Sequence, residues 1–141
     1  MSNKGPWTDL VRIGDASDST KHFVPFENIL AFARLTGDFE PIHVDTAYAK
    51  RTPYGHCLAH GVFVLGLMSD KLLAEDKVGP NVSYGYDRVR FIRPVVAGST
   101  VITKGRIVES RPERNQVVVE ETCHSEDGDL LAIANHVFRF I

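Results

Sequence analysis

The apolar residues between positions 26 and 36 recur at helical spacing. They lie at i, i+3, i+4 and i+7, on one face of a 3.6-residue period: Phe26, Ile29, Leu30 and Ala33. Gly37 then offers a C-terminal stop, because glycine readily adopts the left-handed conformation that ends many helices. The pattern predicts a helix over residues 26–36 with one apolar face.

Residues 58–73 contain a second and much more apolar segment. Its centre, Val62 to Met68, is apolar on all sides, which is typical of a helix buried on most faces. Periodicity alone also fits a buried strand, but the length of the segment and its continuation through Leu73 favour a helix. We therefore predict a second helix over residues 58–73, packed against a sheet.

After Gly79-Pro80 the pattern changes to strands. Four segments carry β-branched and aromatic residues, at 82–93, 99–109, 116–124 and 130–141. Asp127-Gly128 is a hairpin signal between the last two. A short apolar patch at residues 10–13 predicts a further, edge-type strand before the first helix. Helices followed by antiparallel strands indicate an α+β domain.

Length and composition indicate one ordinary globular domain over residues 1–141. The chain is 43% hydrophobic, and its net charge of −2 comes without any basic block, which argues against a nucleic-acid partner. No apolar run approaches the roughly 20 residues that span a bilayer, and the first residues do not resemble a secretory leader. We expect a cytoplasmic protein in which Cys57 and Cys123 are reduced thiols.

The candidate chemistry lies between the two predicted helices. Pro41 prevents the first helix from continuing, because proline lacks the backbone N–H and clashes with the preceding turn. A loop over residues 38–44 can therefore bring the Asp38 carboxylate and the His43 imidazole to one point. Gly61, at the head of the second helix, offers a backbone N–H to a substrate. A carboxylate, an imidazole and such a donor can activate water and stabilise an oxyanion.

Four stretches together carry a more specific pattern. Residues 32–45 contain the spacing Asp-x4-His with Pro-Ile before the histidine, and Ala59-His60-Gly61 follows with its histidine seventeen residues after His43. Tyr54-Gly55 and residues 90–98 complete the match. In these residues the chain closely resembles the MaoC-like dehydratases, which include (R)-specific enoyl-CoA hydratases. The resemblance extends from about Phe26 to the C-terminus.

That resemblance implies an α+β hot-dog fold, in which a curved antiparallel sheet wraps around a long helix. It also implies a homodimer, or a multiple of it, that acts on an acyl thioester of coenzyme A or acyl carrier protein without a cofactor. Asp38 and His43 are implied as the catalytic pair. The implied substrate-binding residues are Gly61, His60, Ser69 and Tyr54. Glu40 departs from the family, which usually has Asn there, and this leaves the hydrogen bonding of the loop open.

Other readings of the polar residues are less specific. His56 and His60 are four residues apart with Cys57 between them, but a third or fourth ligand at a zinc-type spacing is missing, so we predict no metal site. Arg88, Arg90 and Arg93 could contact coenzyme A phosphates, although solvated or ion-paired surface arginines are commoner.

The functional prediction is a hydro-lyase that adds water to a 2-enoyl thioester or removes it from a 3-hydroxyacyl thioester. One alternative is a hot-dog thioesterase, which would direct water at the carbonyl and would not need the Asp-x4-His loop. A second alternative is a module that binds acyl thioesters without catalysis.

Overall fold

A computed structural model describes residues 5–69 and 72–141, and its main element is a five-stranded antiparallel sheet. The strands are β1 (Thr20–Val24), β2 (Asn81–Phe91), β3 (Ser99–Arg111), β4 (Gln116–Ser125) and β5 (Leu130–Phe140). Their order in the sheet is β1-β3-β4-β5-β2. The four strands predicted after Gly79 are thus confirmed, and consecutive strands β3, β4 and β5 pair as neighbours.

The turns between these strands follow the local sequence. Pro112–Arg114 form a single 3-10 turn between β3 and β4, and Asn115 then adopts a left-handed conformation with φ of 54°. Between β4 and β5, Gly128 has φ of 91°, which the predicted Asp-Gly turn requires.

The helices are short. They are α1 (Phe26–Thr36), α2 (Pro41–Val44), α3 (Thr46–Lys50), α4 (Gly61–Met68) and α5 (Glu75–Val78), with a 3-10 turn at Pro6–Asp9. None of the helices in the described residues is long and apolar enough to cross a membrane. The predicted first helix is confirmed as α1, which buries Ile29 and Ala33 and ends at Gly37 with φ of 79°.

The predicted helix over residues 58–73 is wrong at both ends. It begins at Gly61 and ends at Met68, and Ser69 already has an extended backbone; residues 70–71 lie outside the described part. Leu73 instead packs with Trp7 and Phe140 in a second hydrophobic cluster, separate from the one around α4. Burial of Leu73 in that cluster therefore outweighs the helical pattern. The central helix of the fold is correspondingly short.

Helix α4 is also less buried than its sequence suggested. Val64 and Met68 face the sheet and are buried, whereas Val62 is 66% exposed. In the single protomer, an apolar face of α4 is therefore open to solvent.

The predicted strand at residues 10–13 is wrong as well. Val11 is buried, but Leu10 and Ile13 are largely exposed and form no strand. The sheet instead begins with β1, which buries Val24 and pairs with the first half of β3. Residues 14–17 run along the second half of β3, where Ile107 exchanges backbone hydrogen bonds with Gly14 and Asp15. The apolar patch at residues 10–13 therefore anchors the N-terminal segment through the buried side chain of Val11 and forms no strand.

Candidate active site

Asp38 lies in the short connection between α1 and α2. The helix ends at Gly37, and Pro41 then begins α2, where its missing N–H costs nothing. Asp38 Oδ1 accepts a hydrogen bond from the Glu40 backbone N–H at 3.3 Å, while the Glu40 side chain lies in solvent. The residue at position 40 thus contributes to the loop through its backbone.

His43 projects from α2 and is held by the chain that precedes α4. Its Nδ1 lies 2.7 Å from the Leu58 carbonyl oxygen, and Leu58 in turn donates its N–H to the Ile42 carbonyl. Because a carbonyl oxygen only accepts, Nδ1 carries the proton. In the neutral imidazole this leaves a lone pair on Nε2, so His43 is set to accept a proton there.

His60 fastens the Asp38 loop from the inside. It is 2% exposed, and its Nε2 donates to the Asp38 backbone carbonyl at 2.9 Å. Its ring stacks on that of His43, with the centroids 3.9 Å apart. His60 therefore contacts both members of the predicted pair and fixes their separation, a role that the sequence spacing did not reveal.

Gly61 follows His60 and begins α4. The first N–H groups of a helix have no partner within it and form its positive end, so the Gly61 N–H can receive an anionic oxygen. The Phe91 ring lies against this residue: a Cβ at position 61 would come within 2.7 Å of a Phe91 ring carbon. Phe91, at the end of β2, is a neighbour of the site that the sequence did not point to.

Two other predicted substrate-binding residues lie apart from this group. Ser69 follows the last residue of α4, about 12 Å along the helix from Gly61. Tyr54 lies in the turn after α3, where its backbone N–H donates to Thr52. Within residues 5–69 and 72–141, no hydrogen bond or ring contact joins Tyr54 to Asp38, His43 or His60.

The three polar side chains have the dimensions of a metal site. Ligand atoms of Asp38, His43 and His60 lie within 4.8 Å of one another, a convergence that the sequence spacing did not show. His60 Nε2 donates to the Asp38 carbonyl, so the lone pair of this ring is on Nδ1, which is buried and has no hydrogen-bond partner among the described residues. A catalytic zinc site uses three protein ligands, so a metal here would need His60 Nδ1 in addition to Asp38 and His43 Nε2.

The arrangement is better suited to acid–base chemistry. The Asp38 side chain is 46% exposed and His43 is half-buried, so the Asp38 carboxylate is open to a water beside His43. Gly61 directly follows His60 in the chain, so its N–H lies next to the two stacked imidazoles. Acid–base groups and an oxyanion donor therefore meet at one end of α4.

One of the three arginines considered for phosphate contact has an ion-pair partner among the described residues. Arg93 forms an ion pair with Asp129, at 3.1 Å between Nη1 and Oδ2. Arg93 is therefore an ion-paired surface arginine, the commoner of the two situations expected for these arginines.

Comparisons with known proteins identify the family. The model of the MaoC like domain matches residues 7–128. The 3-hydroxybutyryl-CoA dehydratase of Methylorubrum extorquens is 35% identical over 111 residues, which cover 79% of this chain and 70% of that protein. The (R)-specific enoyl-CoA hydratase of Aeromonas caviae is 26% identical, over 92% of this chain and 95% of the relative.

Solved structures give the same picture of the fold. The unliganded R-hydratase PhaJ1 of Pseudomonas aeruginosa superposes with a TM-score of 0.81 at 24% identity, over 96% of this chain and 84% of that one. The predicted α+β hot-dog fold is thereby confirmed.

Proposed function

Because this chain belongs to the MaoC-like domain family, we propose that it is a hydro-lyase for enoyl thioesters. The reaction is the reversible hydration of a trans-2-enoyl-CoA to the (R)-3-hydroxyacyl-CoA. The observation that carries the proposal is the meeting of Asp38, His43 and the Gly61 N–H at one end of α4. The family relationship supplies the substrate class, and the site supplies the groups that the reaction needs.

In the hydration direction, a water held between Asp38 and His43 attacks C3 of the enoyl group. His43 Nε2, which has the lone pair, takes one proton from this water as the new C–O bond forms. Negative charge moves to the thioester oxygen, where the Gly61 N–H at the positive end of α4 stabilises it. The proton on Nε2 then passes to C2, so that water is added in full. Acid–base help of this kind contributes about 10²–10⁴ in rate.

The surroundings of the pair support this assignment of roles. The Leu58 carbonyl fixes the tautomer of His43, and His60 fixes the Asp38 backbone. Both reacting groups are therefore held before substrate arrives, which lowers the cost of orienting them. Every step moves a proton or a water, so the proposed reaction requires no redox cofactor.

We further propose that the protein acts as a homodimer, in the cytoplasm. Surface cavities of about 500–640 Å³ lie elsewhere on the single chain, and Asp38, His43, His60 and Gly61 line none of the three; Ser69 lines one of them. Around the site, by contrast, large apolar side chains are exposed: Phe39, Val62, Phe91 and Ile92. A second copy that covers this surface would complete a thioester pocket. Light scattering at micromolar concentration should show a dimer or a multiple of it, and a stable monomer would contradict this placement of the pocket.

The activity is tested by incubating the protein with trans-2-enoyl-CoA substrates of increasing chain length. Loss of the conjugated double bond, with the (R)-3-hydroxyacyl product identified on a chiral column, is the expected result. Release of free thiol without hydration would instead indicate a thioesterase. Binding without any chemical change would indicate an acyl-thioester-binding module.

A further inference from the structure

One side of α4 faces strand β2 along the whole length of the helix. Gly61, Leu65 and Ser69 lie at i, i+4 and i+8, on one side of a helical period. The Phe91 ring, at the end of β2, lies against Gly61. At the other end, the Ser69 side chain shares a hydrogen bond with the hydroxyl of Tyr86 on the same strand. This side of α4 and the facing part of β2 therefore form two walls of one strip, which starts at the proposed oxyanion donor.

A β-bulge turns Tyr86 into that strip. The pairing of β2 with β5 slips by one residue between Asp87 and Arg90, where Arg88 has φ of 55°. In a regular strand Tyr86 and Val89 would point to opposite faces, because side chains alternate. An extra residue between them reverses that alternation. Tyr86 and Val89 accordingly both pack against the hydrophobic cluster that includes the buried residues of α4.

The strip is the path open to the acyl chain of a bound thioester. When the thioester oxygen lies on the Gly61 N–H, the carbon atoms beyond C3 meet Leu65 and Val89, which are apolar and only half-buried in the single protomer. Because the Tyr86 hydroxyl reaches Ser69, its ring lies beside the last turn of α4. About one helical turn, or 5.4 Å, then remains between the oxyanion donor and the ring. Only a few carbon atoms fit there.

The Tyr86 ring is held in place from behind. The His136 ring stacks on it with centroids 4.0 Å apart and is itself 1% exposed. His136 Nδ1 lies 2.6 Å from Glu121 Oε1, and its Nε2 lies 2.6 Å from the Ser83 hydroxyl oxygen. Protein interiors are close-packed, so a buried ring with partners on both nitrogens does not yield to a longer chain. His136 on one side and Ser69 at the hydroxyl therefore fix the position of Tyr86.

We propose that Tyr86 closes the acyl-binding strip and restricts the protein to short-chain thioesters such as crotonyl-CoA. The thioester class rests on the proposed hydratase function, whereas the closure rests on the contacts of Tyr86. In an apolar pocket, one methylene group changes specificity by about 10–200-fold. An acyl chain that is several methylene groups too long meets the Tyr86 ring and is rejected.

Binding of saturated thioesters tests the closure independently of hydration. Butyryl-CoA and octanoyl-CoA lack the double bond and the 3-hydroxyl group, so they bind without reacting, and calorimetry gives their affinities. We expect the wild-type protein to bind octanoyl-CoA no more tightly than butyryl-CoA, although each additional methylene group would add about fourfold in affinity if it were buried. Tyr86→Ala should bind octanoyl-CoA at least about tenfold more tightly than wild type, because the strip then accepts the longer chain.

Two further variants separate the bulk of Tyr86 from its hydroxyl and from its part in folding. Tyr86→Phe keeps the ring and removes the hydrogen bond to Ser69, so its ratio of octanoyl-CoA to butyryl-CoA affinity should stay close to that of wild type. Tyr86→Leu keeps an apolar side chain against His136 but is shorter. It should shift the ratio in the same direction as Tyr86→Ala, so the test does not depend on the folding of the alanine variant.

The same proteins are compared in hydration. The wild-type kcat/KM for crotonyl-CoA should exceed that for trans-2-octenoyl-CoA by about 100-fold or more, and Tyr86→Ala should narrow this ratio by at least about tenfold. A wild-type protein that binds or hydrates the longer thioester better than the shorter one overturns the proposal. So does a chain-length ratio that is equal in wild type, Tyr86→Ala and Tyr86→Leu. Absence of hydration, with binding that depends on chain length through Tyr86, would overturn only the hydratase function.

Discussion

The molecule contains two carboxylate–imidazole clusters that differ mainly in burial. Asp38 and His43 lie on a connection and a single helical turn, and the Asp38 side chain is 46% exposed. Glu121 and His136 lie diagonally across the neighbouring strands β4 and β5 and are at most 1% exposed. The first pair is open to a water and a substrate. The second is buried and closed to both.

The two clusters also distribute hydrogen bonds differently. His43 donates to a backbone carbonyl, so its neighbouring carboxylate stays available to a substrate water. His136 Nδ1 is hydrogen-bonded directly to Glu121 Oε1, so that carboxyl group pairs with the histidine. The same residue types therefore form a shared water site in one place and a buried pair in the other. The partner of the imidazole Nδ1 differs between the two clusters.

The largest effect, a loss of hydration rate, is expected when Asp38 or His43 is replaced. Asp38→Asn and His43→Ala should each lower enoyl-CoA hydration by about 10²–10⁴, the usual contribution of acid–base catalysis. The double variant should lose little more than either single one, because both groups act on one water. Steady-state kinetics measures the rates, and circular dichroism checks that the proteins fold.

A carboxylate on the same loop provides the control. Glu40 contributes its backbone to the loop while its side chain is exposed, so Glu40→Gln should hydrate at a near wild-type rate. Near wild-type activity in Asp38→Asn or His43→Ala would remove that residue from the mechanism.

Substitutions in the buried pair, Glu121 and His136, should lower the free energy of unfolding. His136→Leu removes the imidazole that contacts Glu121 Oε1 in the core, and breaking a buried pair costs about 3–5 kcal/mol. Urea unfolding measures the free energy of unfolding. The double variant Glu121→Leu/His136→Leu should recover most of the loss, because apolar replacements of buried pairs are often neutral. A double variant less stable than His136→Leu would contradict this account of the buried pair.

The sequence predicted the open cluster and missed the buried one for a physical reason. Asp38 and His43 lie within six residues of each other, so a turn at Pro41 is enough to bring them together. Glu121, His136 and Ser83 meet through the register of three strands, and a β-bulge at Tyr84 shifts one of them. A register shift of a single residue turns a side chain to the other face, so spacing alone could not place these residues.

The errors in the fold have a similar origin. The four strands after Gly79 were predicted well, because β-branched segments between turn residues define them locally, whereas β1 was not predicted and the strand expected at residues 10–13 is absent from the described residues. Helix α4 was predicted too long, since the burial of Leu73 in a distant cluster cannot be read from a local period. The contact of His60 with the Asp38 carbonyl was missed because it joins residues 22 apart.

The Gly61 position tests how the open site binds its substrate. Gly61→Val keeps the backbone N–H but places a side chain where the thioester oxygen approaches it, so kcat should fall by about 10²–10³, comparable to the loss of an oxyanion donor. A new side chain would also meet the Phe91 ring, so Gly61→Val/Phe91→Ala separates the two causes. If crowding of the thioester oxygen is responsible, the double variant stays impaired. Recovery in the double variant would instead place the effect on Phe91.

Gly66→Ala is the matched control for that experiment. A Cβ there meets open space, and Gly66 is an exposed residue inside the same helix. Alanine should raise the free energy of unfolding by about 0.4–1 kcal/mol, because it restricts the unfolded chain, and should leave kcat unchanged. A Gly66→Ala protein as impaired as Gly61→Val would mean that α4 tolerates no change at all.

The smallest effect is expected at a third pair, Arg93 and Asp129, which isolates burial from pairing. Their charged atoms are 3.1 Å apart, close to an ideal contact, yet the side chains are 61% and 56% exposed. Water competes for both groups, so a double-mutant cycle with Arg93→Ala and Asp129→Ala should give a coupling energy of about 0.2–1 kcal/mol. The coupling should weaken further in 0.5 M salt, where exposed charges are screened. A coupling as large as the loss in His136→Leu would show that proximity of the charges, and not burial, determines how strongly a pair stabilises this fold.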